Sequence, residues 1–244
     1  MSSVQLFQLT YVKSEILAPG VNVFHFDSLN INLAYKPGQY IRMTLSIESP
    51  DERGASRFFS IASSPTNTST IKIVTKIGPS TFKQKLFNLK GGEKVSFRGP
   101  FGSFILEEES LLPQIMLTGG IGITPFISMV SYAVEKKLSI PITLFASFST
   151  PQEIIMKTQF EEYEKINSNF KYIPTVTHPE KTQVPWMGNV GRIDKQLLEK
   201  RIPNVKDCIY YIVGPEGMNR ALRLLLSDLE VPEENIRLED FTGY

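Results

Sequence analysis

The hydrophobic pattern changes period near residue 110, and that change commits the chain to two different kinds of sheet in succession. Before it, short alternating or β-branched runs recur over residues 21–27, 39–47, 57–62, 70–77 and 93–98. Turn signals such as Lys36-Pro37-Gly38 and Gly91-Gly92 part them. Closely spaced strands with turns between predict an antiparallel barrel or sandwich. One short helix over 81–88 interrupts it. After the change, buried strands at 115–118, 142–147, 170–176, 208–213 and 236–239 alternate with helices. The first helix shows in the spacing of Phe126, Val130, Ala133 and Val134, and the others run over 153–166 and 218–229. Such alternation predicts parallel strands with helices on both faces. Residues 177–191, with Trp186, Pro179 and Pro185, read as a long loop, and Glu107-Glu108-Glu109 with Pro113 beyond reads as the joint.

Bulk properties exclude several classes. Of 244 residues, 41% are hydrophobic, enough for real cores and against disorder. A net charge of +1 gives no case for nucleic acid or an anionic membrane as the main partner. No run of 18 apolar residues occurs, so no membrane-spanning helix is expected. The opening Met1-Ser2-Ser3-Val4-Gln5-Leu6 lacks the basic end and apolar core of a secretory signal. Cys208 is the only cysteine, which rules out an internal disulfide and a four-thiolate iron–sulfur cluster held by this chain alone. With His25 and His178 the only imidazoles, no metal site is expected, and the expected location is cytoplasmic.

Two glycine loops carry the first chemical signal. Thr118-Gly119-Gly120-Ile121-Gly122-Ile123-Thr124-Pro125 ends an apolar strand in glycines and opens a helix, with Thr124 suited to the cap and Pro125 to the first turn. Glycines let backbone approach a phosphate, and the helix start points N–H groups at the anion. The same residues would also serve as an ordinary tight turn, and Pro125 stands where the usual dinucleotide fingerprint has its third glycine. Val213-Gly214-Pro215-Glu216-Gly217-Met218 again links a strand to a helix. In an open parallel sheet both loops belong to the carboxyl edge, where ligands bind. In the first half, Arg57-Phe58-Phe59-Ser60 sets a phosphate-binding cation beside aromatic rings and a hydroxyl. By residue type alone the favoured reading is a surface arginine flanking a buried aromatic strand.

In order along the chain, these stretches resemble the ferredoxin–NADP⁺ reductase superfamily. Arg57-x-Phe59-Ser60 is similar to its flavin motif Arg-x-Tyr-Ser, and Pro37-Gly38-Gln39-Tyr40 to its Pro-Gly-Gln-aromatic turn. The run from Gly78 through Ser80, Thr81 and Lys83 resembles its flavin-phosphate loop, and Gly99-Pro100-Phe101-Gly102-Ser103-Phe104 its Gly-Pro-x-Gly-x-Phe turn. The two glycine loops resemble its nicotinamide-dinucleotide loops, and Glu239-Asp240-Phe241 its terminal Glu-x-aromatic. The resemblance implies an N-terminal antiparallel six-stranded β-barrel binding FAD over residues 1–109 and a five-stranded parallel α/β domain binding NAD(P) over 110–244.

It also implies roles. Arg57 would clamp the flavin phosphate, Phe59 would pack on the isoalloxazine with Phe58 beside it, and Ser60 would bond near N5. Thr75 and Lys76, with Ser80 and Thr81, would hold the ribityl and pyrophosphate part. Gly119, Gly120, Gly122 and Thr124 would receive the nicotinamide cofactor, and Gly214 and Met218 would line its nicotinamide end. Ser60, Glu239 and Phe241 would be the catalytic group, with Phe241 stacking on the flavin. The implied chemistry is hydride transfer from nicotinamide C4 to flavin N5, then electron release to a separate acceptor. That acceptor would be a ferredoxin, flavodoxin, haem protein or small molecule. A free-flavin reductase and a non-catalytic redox-sensing subunit are the competing readings.

The chain departs from the family pattern in four places. Phe59 replaces tyrosine, Val213 replaces a frequent cysteine, and Thr242-Gly243-Tyr244 extends past the terminal aromatic, so Phe241 and Tyr244 both compete to cover the flavin. Phe148-Ser149-Thr150 lacks the arginine that often meets a 2′-phosphate, which favours NADH. Cys208 reads as a core residue and Trp186 as half-buried packing. Arg192 suits either the nucleotide or the surface.

Overall fold

The structure is a computed structural model describing residues 4–31 and 33–240. It divides into two compact units. The first comprises Met1–Leu106 with Thr124–Tyr132, the second Glu107–Ile123 with Ala133–Tyr244.

The first unit is antiparallel. Its strands are β1 (Gln5–Ala18), β2 (Val21–Asp27), β3 (Tyr40–Thr44), β4 (Ser56–Ser60), β5 (Thr70–Lys76) and, after the helix α1 (Thr81–Phe87), β6 (Lys94–Phe101). They lie in the order β4-β3-β6-β1-β2-β5. The run just past β4 reaches the opposite edge, where the Ala62 N–H donates to the Lys72 carbonyl at 2.8 Å. Alternate residues turn inward, as the strand period requires, and build a core from Phe26, Ile41, Met43, Ile73 and Phe97. The long strand β1 was not singled out by the sequence pattern. It pairs with β2 and β6 on its two sides.

The second unit is parallel throughout. Its strands are β7 (Gln114–Gly119), β8 (Ile142–Phe148), β9 (Phe170–Val176), β10 (Asn189–Val190), β11 (Ile209–Val213) and β12 (Ile236–Glu239). Their order is β10-β9-β8-β7-β11-β12. Five of these are the expected strands, and the sixth, β10, is a two-residue addition inside the expected loop, pairing with β9. The helix α2 (Thr124–Glu135), which follows β7, belongs for most of its length to the first unit; the helices wholly within the second are α3 (Lys157–Ile166), α4 (Lys195–Arg201) and α5 (Glu216–Asp228). Here α4 is unforeseen, and Asp194 caps it by accepting from the Leu197 N–H at 2.8 Å. Cys208 is buried in this core as expected, its thiol donating to the Asn204 carbonyl at 3.2 Å. Trp186 is half-buried and donates to the Asn189 carbonyl at 2.8 Å. Among the described residues, no helix is long and apolar enough to cross a membrane.

The turn Pro37-Gly38 sits against the first unit's wall. Gly38 has φ +101°, and a Cβ there would lie 2.2 Å from the Phe104 carbonyl oxygen and 2.3 Å from Met129 Cε. Both backbone strain and overlap oppose any side chain. Gly38→Ala is expected to lower stability by at least ~2 kcal/mol, read as a fall in the urea midpoint. An unchanged midpoint contradicts the close approach.

Candidate functional site

In the first unit, Arg57 and Phe59 share one face of β4, and Phe58 and Ser60 the other. Arg57 Nη1 donates to the carbonyls of Arg53 (2.7 Å), Gly54 (2.8 Å) and Ser56 (2.8 Å), and Nη2 to Asp51 Oδ1 at 3.2 Å. The guanidinium lies 5.2 Å from the Phe82 ring centroid. Phe82 stacks on Phe59 at 5.9 Å, and the Lys83 ammonium sits 5.3 Å from the centre of the Phe59 ring. Lys83 also donates to Thr75 Oγ1. Cation, ring, ring and cation thus form one column drawn from β4 and α1, and Lys83 ties it to β5.

The start of α1 belongs to the same cluster. Ser80 Oγ caps it by accepting from the Lys83 N–H at 3.2 Å, and Asp51 Oδ2 accepts from the Thr81 N–H at 3.0 Å. Burial, and then the Arg57 and Arg53 charges, pull the Lys83 ammonium down to about 8. The Arg53, Arg57 and Lys83 charges thus act on one another, with the Asp51 carboxylate paired to Arg57 among them, an arrangement suited to a further anion.

The structure brings together Arg57, Phe59, Thr75, Ser80 and Thr81. Lys76 stands exposed at the end of β5. The ring expected to lie against a flavin, Phe59, is 3% exposed and packed in the core. The exposed ring is Phe58, edge-on to Tyr40 at 5.6 Å and to Phe101 at 6.1 Å. Ser60 Oγ is buried with no hydrogen-bond partner among the described residues.

In the second unit, register assembles the site. Thr118, Val213 and Glu239 are aligned across the adjacent strands β7, β11 and β12, at their carboxyl ends. The two glycine loops follow them. A Cβ on Gly122 would lie 2.5 Å from the Val213 carbonyl oxygen and 2.9 Å from Thr118 Oγ1. A Cβ on Gly119 would lie 2.5 Å from Met218 Sδ. Gly120 has φ +54°. Thr124, buried as the first residue of α2, falls in the first unit. Gly214 packs against Met218 as well, since a Cβ on Gly214 would be 3.2 Å from Met218 Sδ.

Thr118 Oγ1, Asn219 Oδ1 and Glu239 Oε2 are all buried without a partner among the described residues. Burial alone pushes the Glu239 carboxyl up to about 7. Asn219 was not anticipated; its only signal is a polar residue at a position that α5 turns inward. Arg192 is exposed. Phe241 and the extension through Tyr244 lie outside the described residues.

Native structures leave few buried polar atoms unpaired. The Ser60 hydroxyl and the cation cluster fit a flavin with a phosphate-bearing tail. The three unpaired groups beside two glycine turns fit a nicotinamide nucleotide.

Comparison with known proteins agrees. The oxidoreductase FAD-binding domain family matches residues 8–105 and the oxidoreductase NAD-binding domain family residues 116–223. The F subunit of the Na⁺-translocating NADH-quinone reductase of Methylococcus capsulatus is 31% identical over 212 residues, 81% of this chain and 52% of that one. Its Pseudomonas aeruginosa counterpart is 30% identical over 199 residues, 80% of this chain and 47% of its own. The chain thus spans about half the length of these curated relatives. Among solved structures, the Amycolatopsis cytochrome P450 reductase GcoB superposes with a TM-score of 0.85 at 19% identity, covering 100% of this chain and 72% of that one. A ferredoxin NADP⁺ reductase from Neisseria gonorrhoeae with bound FAD and NADP gives 0.80 at 17% identity, covering 96% and 98%. The chain carries an oxidoreductase FAD-binding domain followed by an oxidoreductase NAD-binding domain, and its fold is that of the ferredoxin–NADP⁺ reductase-like flavoproteins.

The Glu239 carboxyl gives a stability signature. Held near 7 rather than 4.5, it keeps its proton in the folded chain where the unfolded chain has lost it. Its contribution is therefore full below about pH 4.5 and is lost as pH rises towards 7, by on the order of 3 kcal/mol. Glu239→Gln, always neutral, should be more stable than the wild type at about pH 8 and close to it at about pH 4. Urea unfolding at both values checks this; a pH-independent difference contradicts it.

Proposed function

We propose that this protein oxidises NADH or NADPH through bound FAD and passes the electrons to a separate acceptor. Residues 1–109 would form the FAD-binding β-barrel domain and 110–244 the NAD(P)-binding domain. The observation that carries the reading is the row of unpaired buried groups at the carboxyl ends of β7 and β12, beside turns that only glycine fits. Folding alone gives no reason to leave them unpaired, whereas a docked nicotinamide gives each a partner.

Bound FAD supplies a ring that takes up a hydride and releases electrons singly. The chain's residues would bind and align. Arg57, Ser80 and Thr81, with backbone at Thr75 and Lys76, hold the phosphate and ribityl part. Phe58 supplies the exposed aromatic surface, Phe59 holds β4 in the core against Phe82, and Ser60 offers its free hydroxyl to the ring edge. Gly119, Gly120, Gly122 and Thr124 admit the dinucleotide phosphates, Gly214 and Met218 line the nicotinamide end, and Glu239 and Phe241 complete the catalytic group. For Arg57 to meet a phosphate, it exchanges its contacts with Asp51 and the 53–56 carbonyls for that anion.

The donor is NADH rather than NADPH, on the absence of arginine in Phe148-Ser149-Thr150 and on the NADH-quinone reductase relatives. Acceptors of the ferredoxin, flavodoxin, haem-protein or quinone type suit a chain with one cysteine and therefore no cluster of its own. The expected location is cytoplasmic.

Anaerobic titration of the flavin-loaded protein with NADH and with NADPH tests this. The yellow absorption should bleach with about one equivalent of donor and more readily with NADH. Flavin that stays oxidised with both overturns the reading. Arg57→Ala should weaken FAD retention about 10- to 150-fold, the worth of a charge-assisted hydrogen bond. Equilibrium dialysis reads the change, and unaltered retention contradicts the clamp.

A further inference from the structure

The outward face of the first unit carries two arginines that the strand ladder sets side by side. Residues directly opposite on neighbouring strands point to the same face. Arg42 on β3 is opposite both Phe58 on β4 and Arg98 on β6, and Arg98 is opposite Leu6 on β1. One row therefore reads Phe58, Arg42, Arg98, Leu6 across four strands. All four side chains are exposed, Phe58 at 58% and Leu6 at 80%. The next row on the same face is Ser56, Thr44, Ser96 and Gln8, neutral throughout. Beyond it on β6 stands a third exposed cation, Lys94. The nearest acid on the ladder is Asp27, opposite Thr10 in the row of Lys94.

Like charges directly opposite each other weaken a sheet. Arg42 Nη2 donates to Ser56 Oγ at 3.2 Å, and among the described residues neither arginine forms an ion pair. Nothing within the unit offsets their repulsion, so a carboxylate from outside is the natural complement. The flanks suit a protein. Leu6 ends the row on one side, and on the other Phe58 gathers Tyr40 at 5.6 Å and Phe101 at 6.1 Å into an aromatic anchor. Arginine beside exposed aromatic rings is the composition of a protein interface. Cross-strand Cβ atoms lie about 5 Å apart, the spacing of two acidic side chains three or four residues apart on a helix. Each guanidinium can then take one carboxylate through two parallel N–H donors.

We infer that this face docks an acidic protein and that the protein is the electron acceptor. The second half rests on the flavin reading above, which sets Phe58 against the ring. Arg42 is one strand from Phe58 and Arg98 two, so a partner held by the pair sits within about 10 Å of that side chain. The arginine pair thereby selects among acceptors: an acidic ferredoxin or flavodoxin fits, whereas a basic haem protein or a quinone does not.

The test uses the flavin-loaded full chain with NADH as donor and three acceptors: an acidic plant-type ferredoxin, basic cytochrome c, and ferricyanide, which needs no docking face. The wild type should reduce ferredoxin with a lower KM than cytochrome c, and that KM should rise steeply between about 50 and about 500 mM NaCl. Arg42→Gln/Arg98→Gln should raise the ferredoxin KM about tenfold at low salt, flatten its salt dependence and leave the ferricyanide rate unchanged.

A ferredoxin KM that is the same in the double variant overturns the assignment and leaves the proposed function standing. So does a wild type that reduces ferricyanide but prefers cytochrome c or leaves ferredoxin oxidised. An equal loss with ferredoxin and ferricyanide also overturns it, because the damage then lies at the flavin or in the fold. A wild type that sediments as a dimer and a double variant that sediments as a monomer give the face to a second copy instead. Failure to reduce all three acceptors overturns the proposed function together with this assignment.

Discussion

Gly122 and the carbonyl of Val213 approach so closely that a single methyl group between them would overlap the oxygen. This contact presses the turn after β7 onto the end of β11, and the nucleotide half of the site depends on it. Parallel strands place their carboxyl ends side by side but leave the loops beyond them free to diverge. Glycine at 122 removes that freedom without leaving a gap. Gly119 and Gly214 bring the second loop in the same way: a Cβ on Gly119 would lie 2.5 Å from Met218 Sδ, and one on Gly214 would lie 3.2 Å from that sulfur and 3.3 Å from the Gly119 nitrogen. Thr118 and the neighbouring pair Met218 and Asn219, far apart in the sequence, are thereby packed against the same two turns.

Charge organises the other unit as closely as space organises this one. Arg53, Arg57 and Lys83 would repel one another in a shared cluster, and the Asp51 carboxylate is what holds Arg57 and the start of α1 to the 51–56 segment. The aromatic pair Phe59 and Phe82 gives two of these cations a face to lie against. Such contacts contribute about 0.5–2 kcal/mol each, more as water is excluded. The cluster is thus stable enough to persist, yet it keeps more positive than negative charge. A phosphate arriving there would compete with Asp51 and with the Arg53, Gly54 and Ser56 carbonyls for the Arg57 guanidinium.

The legible parts of this chain were those where backbone geometry demands particular residues. Glycine turns, Pro37-Gly38 and the strand–helix alternation announce themselves because few other residues satisfy them. Strand β1 escaped because Leu6, Val12 and Ile16 are exposed. Their apolar character blurs an alternation that Phe7, Leu9 and Tyr11 would otherwise show. Helix α4 is seven residues long and buries only Leu198 fully, too little for a periodic signal. In β4 the two adjacent phenylalanines are the same residue type, so sequence could not tell which ring turns inward; the structure buries Phe59 against Phe82 and exposes Phe58. Asn219 was invisible for a different reason. A polar residue within an amphipathic helix reads as surface, and its burial follows only from its tether to Asp240.

Unpaired buried groups also occur away from the carboxyl edge, and the contrast explains why location decides their meaning. Gln114 Oε1 and Tyr172 Oη are orphaned singly, at an amino-terminal strand end and between β9 and α3. Each is one atom in a well-packed region, a tolerable local cost. At the carboxyl edge, by contrast, Thr118 and Glu239 fall in one register row on either side of Val213, and Asn219 Oδ1 lies 3.5 Å from where a Cβ on the next residue, Gly214, would stand. The strand ladder that aligns Thr118 and Glu239 also keeps β11 between them, so small movements do not pair them with each other.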